Sequence, residues 1–309
     1  MVQSIFSTLI GVMLPLSIPV LCGVILTRWK KFETKQLLTV VLYILSPGII
    51  FQNLTTAQVS FEDVYKTAAF IITNIAILWS VAKAASRLFS LPATETAGLT
   101  LIATLTNAVN YGLPLVYLAF GQLGMEKASI YVVMQMILVN TLGVYFAARS
   151  RFSGKAALRS VFTLPAIYAA IAALALRGAG IAVHPGIMKG ITMVAQAYSP
   201  MVLLILGAQM ASVRTEVLET TAKRAFWTGI SVRMVLAPLV AGFILTLLGV
   251  DGLLRSVLVI EASMPVAVNS VILAEKFEAA PKLVSRCILW TTLASFIALP
   301  VLLGVVKTL

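Results

Sequence analysis

The chain has 309 residues, 60 % of them hydrophobic and 11 % charged, with a mean hydropathy of +1.01. A soluble domain carries roughly 25 % charged residues, so a chain this poor in charge cannot cover its own surface in water and reads as an all-α polytopic membrane protein. The net charge of +12 calls for no nucleic-acid partner, because the basic residues gather in short loops between apolar runs, as membrane topology requires.

A helix needs about 20 residues to cross the hydrocarbon. Ten runs qualify: Ile5–Leu26, Leu37–Leu54, Val64–Val81, Ala97–Phe120, Ile130–Ala147, Val161–Leu176, Gly190–Met210, Ala225–Leu248, Val257–Ala274 and Cys287–Val306, spans one to ten. No Lys or Arg precedes the first run, and Arg28, Lys30 and Lys31 follow it. That order is the reverse of a signal peptide, so the run is expected to be retained, starting outside. Connections are short throughout, with no linker or soluble domain. Cys22 and Cys287 fall inside apolar runs and read as small buried hydrophobes. The single histidine, His184, has no second His or Cys near it, which suggests no metal site.

Orientation follows from the basic residues. Loops after odd-numbered spans hold sixteen Lys and Arg, the opposite side six, and Arg233 lies inside span eight. This bias predicts the odd loops, including Arg149–Ser160, in the cytoplasm and both termini outside; the membrane expected is the plasma (bacterial inner) membrane.

The chain also repeats itself. Pro15 in span one pairs with Pro165 in span six, Pro47 in span two with Pro200 in span seven, and Pro114 in span four with Pro265 in span nine, each pair 150 to 153 residues apart. Five spans per repeat make the second repeat enter from the opposite side. The expectation is an inverted 5+5 repeat, residues 1–150 and 151–309.

Two stretches interrupt the apolar pattern. Leu105 to Gly121 carries Asn107, Asn110, Gly112 and Pro114, and Glu261 to Ser270 carries Ser263, Pro265 and Asn269. Proline lacks an amide proton and crowds the preceding turn, so span four is expected to break near Tyr111–Pro114 and span nine near Ser263–Pro265. Broken backbone at membrane depth is tolerated where it is buried or lines a cavity, and two broken helices in corresponding places point to a transporter binding site. The restarting half-helices offer amides and a positive dipole end to an anion; the stopping ones offer carbonyls to a cation or a donor. Asn107, Asn110, Pro114, Ser263, Pro265 and Asn269 are therefore the candidate substrate-binding residues. Asn140, Asn74 and Gln135 read instead as helix–helix glue, and Gly121-Gln122-Leu123-Gly124 as a turn ending span four.

Glu261 and Arg233 are ionisable residues well inside spans, where charge is costly and a functional role is the default. Counted from span centres, Arg233 lies roughly 5 Å to the cytoplasmic side and Glu261 roughly 7 Å to the outer side. Glu261 is the candidate coupling residue, for a proton or a sodium ion; its alternative is a structural ion pair with Arg233. Arg233 alternatively snorkels to the inner leaflet. No cofactor beyond the coupling ion is implied. The chain has no His-Glu-x-x-His, Gly-x-Ser-x-Gly or nucleotide-binding Gly-x-x-x-x-Gly-Lys, which argues against an intramembrane enzyme or ATP drive.

At these residues a family likeness emerges. NAVNYGLPLVYLAFGQLG resembles the fourth-span signature of the auxin efflux carrier family in its short bacterial form, and SMPVAVNSVILAEKF resembles the ninth. The resemblance implies ten helices in a 5+5 inverted repeat, with broken helices four and nine crossing at Pro114 and Pro265. It also implies a scaffold of spans one, two, six and seven, a transport domain from spans three to five and eight to ten, and a homodimer. A small anionic substrate, malonate- or auxin-like, binds beside the crossing, with Asn110 and Asn269 at the site. A more distant likeness is to the bile acid:sodium symporters, where a glutamate placed like Glu261 binds sodium. The expected function is a secondary carrier for a small organic anion working by alternating access, driven by the proton motive force or membrane potential. The alternatives are a sodium-coupled symporter and a passive channel or sensor.

Overall fold

The computed structural model describes residues 9–30, 32, 34–56, 60–147, 165–212 and 220–306. The Arg149–Ser160 loop, the first residues of spans one and six, and the topology residues Lys31, Arg214 and Lys307 lie outside the described residues. Among the described residues no strand forms.

In chain order the helices are α1 (Ile10–Lys30), α2 (Gln36–Thr56), α3 (Phe61–Leu88), α4 (Ala93–Thr104), α5 (Ala108–Ala147), α6 (Pro165–Gly178), α7 (Pro185–Ser212), α8 (Thr220–Leu247), α9 (Gly252–Ala262), α10 (Ser270–Lys276) and α11 (Pro281–Val306). Seven of these, α1, α2, α3, α5, α7, α8 and α11, are long and apolar enough to cross a membrane. The ten predicted spans and these helices differ where the chain breaks. Span four is divided between α4 and the start of α5, and span nine between α9 and α10, so neither yields one long helix. Span five continues span four within α5, past Gly121 at φ 69°, ψ −160°, a conformation open to glycine and strained for other residues.

The prolines leave a second mark. π-Helical turns at Leu9–Met13, Val41–Leu45, Ala108–Gly112 and Val232–Leu236 each end two residues before a proline, Pro15, Pro47, Pro114 and Pro238. A proline cannot donate to the carbonyl four residues back, and its ring crowds that carbonyl. Widening the turn before it to an i→i−5 pattern absorbs the misfit. At Pro114 the change is explicit: the Leu113 amide bonds the Ala108 carbonyl. A fifth π-turn, Val139–Gly143, has no proline after it.

Helix ends are capped in ordinary ways. Ser60 and Asp63 form a reciprocal capping box at the start of α3, and Lys127 reaches the same carboxylate at 3.0 Å. His184 caps α7, its Nδ1 accepting from the Gly186 amide.

The exterior is apolar. Leu14, Ile18, Leu21 and Ile25 stand out from α1, and Val235, Leu239 and Phe243 from α8. Such stripes give the helices an apolar outward face, as a membrane-embedded helix presents to lipid. Cys22 lies on this outward surface, contrary to its expected burial, while Cys287 is buried.

Inside, α1 packs along the second half of α7, and α2 along α6. The first contact is backbone on backbone: a Cβ on Gly23 would fall on the Leu204 carbonyl, and one on Gly207 on the Val20 carbonyl. Small residues at such crossings are how membrane helices approach closely. α4 lies at the centre, with every residue from Ala97 to Thr104 buried, among α3, α8 and α11.

Candidate functional site

The site is built where α4 and α9 stop. α4 ends at Thr104, Leu105 turns extended at φ −100°, ψ 116°, and Asn107 sits at φ −80°, ψ 45° before α5 begins. α9 ends at Ala262, and the chain runs irregularly through Pro265 until α10 starts at Ser270. The two irregular segments pair. The Asn107 amide donates to the Pro265 carbonyl at 2.9 Å, and the Ala267 amide to the Leu105 carbonyl at 3.0 Å. Thr106 and Val266 thus form a two-bond antiparallel bridge inside an otherwise helical protein.

This corrects the first break. It was expected near Tyr111–Pro114 and lies instead at Leu105–Asn107, one to two turns earlier. Pro114 opens the regular α-helical part of α5, directly after the π-turn Ala108–Gly112. The π-turn ahead of it absorbs the crowding. The second break does include Ser263 and Pro265, as its sequence suggests.

Two amides have left their helices, and two carbonyls are left behind. A continuous helix would bond Asn107 N–H to Ala103 and Val266 N–H to Ala262. The first goes to Pro265, and the second to Thr291 Oγ1 at 3.2 Å. The replacement donor for both carbonyls is Arg233. Its Nη1 donates to the Ala103 carbonyl at 3.0 Å, and its Nη2 donates to the Ala262 carbonyl. The side chain is fully buried and springs from the π-turn of α8. Snorkelling toward lipid headgroups is therefore not its role; it ties together the C-terminal ends of α4 and α9. The missed signal was the pair Arg233 and Pro238, which places a basic residue in a turn widened by a proline.

Glu261 sits one residue before Ala262, also fully buried, and neither carboxylate oxygen has a hydrogen-bond partner among the described residues. It makes no ion pair with Arg233, so the expected alternative of a structural pair is not what the fold contains. Its carboxyl group lies against Gly112, where a Cβ would collide with it.

Asn107, Asn110 and Asn269 line one cavity of about 250 Å³, between the paired breaks and α2. Asn107 immediately precedes α5 and Asn269 immediately precedes α10, and neither side chain caps its helix. The Asn107 amide nitrogen Nδ2 is buried without a partner. Ser46, Thr106 and Gln135 complete the polar lining; Gln135 donates to Thr106 at 3.2 Å, so it is both glue and wall. Among the described residues no acidic or basic side chain lines this cavity. What it offers an anion is amide donors and the start of α5, whose first amides have no intrahelical partner.

Pro114 lines a different cavity, of about 480 Å³, with Gln52, Asn53, Gln122 and Ser199. Along α2, and along α5 before its bend at Gly121, residues of the first cavity (Ser46, Asn110) precede those of the second (Gln52, Pro114). Gln122, expected only to end a span, donates to Asn53 at 3.3 Å, and Asn53 donates to Ser129 at 2.8 Å. Ser263 and Pro265 line neither cavity: Ser263 Oγ donates to the Val259 carbonyl at 2.6 Å, and Pro265 serves through its carbonyl. From α7, the Tyr198 hydroxyl donates to the Val109 carbonyl at 2.8 Å and holds the π-turn of α5.

Over 302 residues the chain is 26 % identical to an uncharacterised transporter of Methanothermobacter thermautotrophicus, covering 96 % of each chain. Over 281 residues it is 25 % identical to an uncharacterised transporter of Methanocaldococcus jannaschii, covering 87 % of this chain and 89 % of the relative. A membrane transport protein family model matches residues 147–303. The chain belongs to this family, that of the auxin efflux carriers, and is an integral multi-pass membrane transporter.

Proposed function

We propose that the protein is a secondary carrier for a small organic anion, a carboxylate of malonate- or auxin-like size, and that it works by alternating access. The observation that carries this reading is the cavity at the paired breaks, where Asn107, Asn110 and Asn269 converge on the start of α5. A carboxylate there gains charge-assisted hydrogen bonds from amide donors and the favourable end of a helix dipole. The second cavity, displaced along α2 and α5, supports a pathway reached from the other face. The proposed frame is ten membrane-crossing segments in an inverted 5+5 repeat, residues 1–150 and 151–309, with both termini outside the inner membrane. The contacts of α1 with α7 and α2 with α6 support a scaffold built from spans one, two, six and seven. Glu261, buried and unpartnered, is the proposed coupling residue: a carboxylate in that position has to be neutralised by a proton or a cation.

Reconstitution into proteoliposomes tests the reading. Radiolabelled malonate and indole-3-acetate are offered with and without a proton or sodium gradient. Saturable uptake with counterflow is expected for one of these carboxylates. Flux that rises linearly without saturation would replace the carrier with a channel.

A further inference from the structure

We propose that Arg233 is a resident cation: its guanidinium fills the place between the ends of α4 and α9 that a mobile coupling cation would otherwise take, and sodium has no site at this crossing. The proposal deepens the carrier reading and rests on it for the meaning of the site, though not for the measurement.

The argument begins with the backbone. The last carbonyls of a helix carry the negative end of its dipole and lack intrahelical partners. Two such ends converge here, and the amides that would have closed onto Ala103 and Ala262 are bonded elsewhere, to Pro265 and to Thr291. Two converging carbonyl ends, one of them on the residue after Glu261, form the kind of oxygen-rich place that a hard cation seeks. Arg233 already supplies the positive charge there. Both of its terminal nitrogens are spent on the two carbonyls, and the side chain is fully buried. Guanidinium does not lose its proton in proteins, so this charge is permanent. A second cation would meet a fixed like charge across buried, low-dielectric surroundings. The Nε of Arg233 has no partner. A group selected only to cap two helix ends leaves no reason to bury an unused donor and a full charge, since a neutral donor would do the same with less desolvation.

The test uses purified full-length protein in detergent and needs no substrate. Thermal unfolding is followed in sodium chloride, potassium chloride, choline chloride and millimolar guanidinium chloride, together with retention of radioactive sodium. The wild type is expected to unfold at the same temperature in sodium, potassium and choline and to retain no sodium. Arg233→Ala vacates the place and is expected to gain a sodium- or guanidinium-specific rise of at least about 3 °C, absent in choline. Arg233→Lys keeps a tethered cation and is expected to stay indifferent to sodium. Saturable sodium retention by the wild type overturns the proposal, as does a folded Arg233→Ala that responds alike to all the salts. If Arg233→Ala is not recovered folded, the wild-type and Arg233→Lys measurements still decide: sodium-specific stabilisation of either refutes the resident cation, and indifference of both upholds it. A sodium-indifferent wild type that moves no carboxylate would defeat the carrier reading and leave the resident cation standing.

Discussion

The carboxyl group of Glu261 occupies the space that a side chain on Gly112 would need. Gly112 closes the π-turn that leads into Pro114, and Glu261 lies in the last turn of the helix that leads into the second break. The two broken segments therefore touch twice, once through the backbone bridge and once through this carboxyl against a bare Cα.

Gly112→Ala is expected to lower stability by about 1–3 kcal/mol, the usual cost of overpacking. Glu261→Gln in the same chain keeps the shape and should relieve nothing, whereas Glu261→Ala should recover most of the loss. Thermal unfolding of the single and double variants measures the coupling. Equal losses from Gly112→Ala in both Glu261 backgrounds would mean that the two groups do not meet.

Glu261→Gln alone addresses coupling. It removes the ionisable group without changing its size. Exchange of labelled for unlabelled substrate is expected to persist, while accumulation against a gradient is lost. Because Arg233 bonds carbonyls and not this carboxylate, adding Arg233→Met should not rescue the variant. Uphill transport by Glu261→Gln would remove Glu261 from the mechanism.

The three asparagines should act on affinity. Replacing Asn107, Asn110 or Asn269 by Ala removes a hydrogen bond to a charged ligand, about 1.5–3 kcal/mol each, or roughly tenfold to a hundredfold in affinity. Asn74→Ala, buried in α3 outside the cavity, is expected to leave affinity unchanged. Saturation curves for uptake distinguish the two sets.

How much of this was legible in the sequence depends on how far each cause lies from its effect. The apolar runs, the two proline stretches and the asparagines beside them are local signals, and they mark the region where the fold breaks. The position of the first break is not local. Asn107 leaves its helix because the Pro265 carbonyl draws off its amide, and no residue near Asn107 announces that partner. Pro114 misdirects for the same reason: a proline reads as a breaker, yet with a widened turn ahead of it the helix carries on. Arg233 needed three elements to be understood. Its depth was readable from span eight, but its partners are backbone carbonyls of α4 and α9, which have no sequence signature at all.

Gly207→Ala probes packing apart from the site. The added methyl group meets the Val20 backbone, which cannot step aside as a flexible side chain would. A loss of about 1–3 kcal/mol is expected, with substrate affinity of the folded fraction unchanged. Stability equal to the wild type would mean that α1 and α7 have freedom to separate.

Topology is tested with Ser90→Cys, in the turn after α3, and Ala179→Cys, after α6, in a chain lacking Cys22 and Cys287. A membrane-impermeant maleimide should label Ala179→Cys in intact cells and Ser90→Cys only after permeabilisation, as the charge bias requires. Labelling of both from one side would defeat the inverted arrangement.

The π-turns differ in one respect that bears on motion. Four of them precede prolines, whose ring crowds the carbonyl that a tighter turn would set four residues back, and that crowding favours their wide form. Val139–Gly143 has no such lock. It holds spare length that the helix can take back. Drawing one residue into the ordinary pattern shifts the chain beyond it by about 1.5 Å and turns it by about 100°. Val139 is part of the cavity wall. The far end of α5 is thus a place where the wall can be reshaped by sliding hydrogen bonds along a helix, without unwinding any turn that a proline holds.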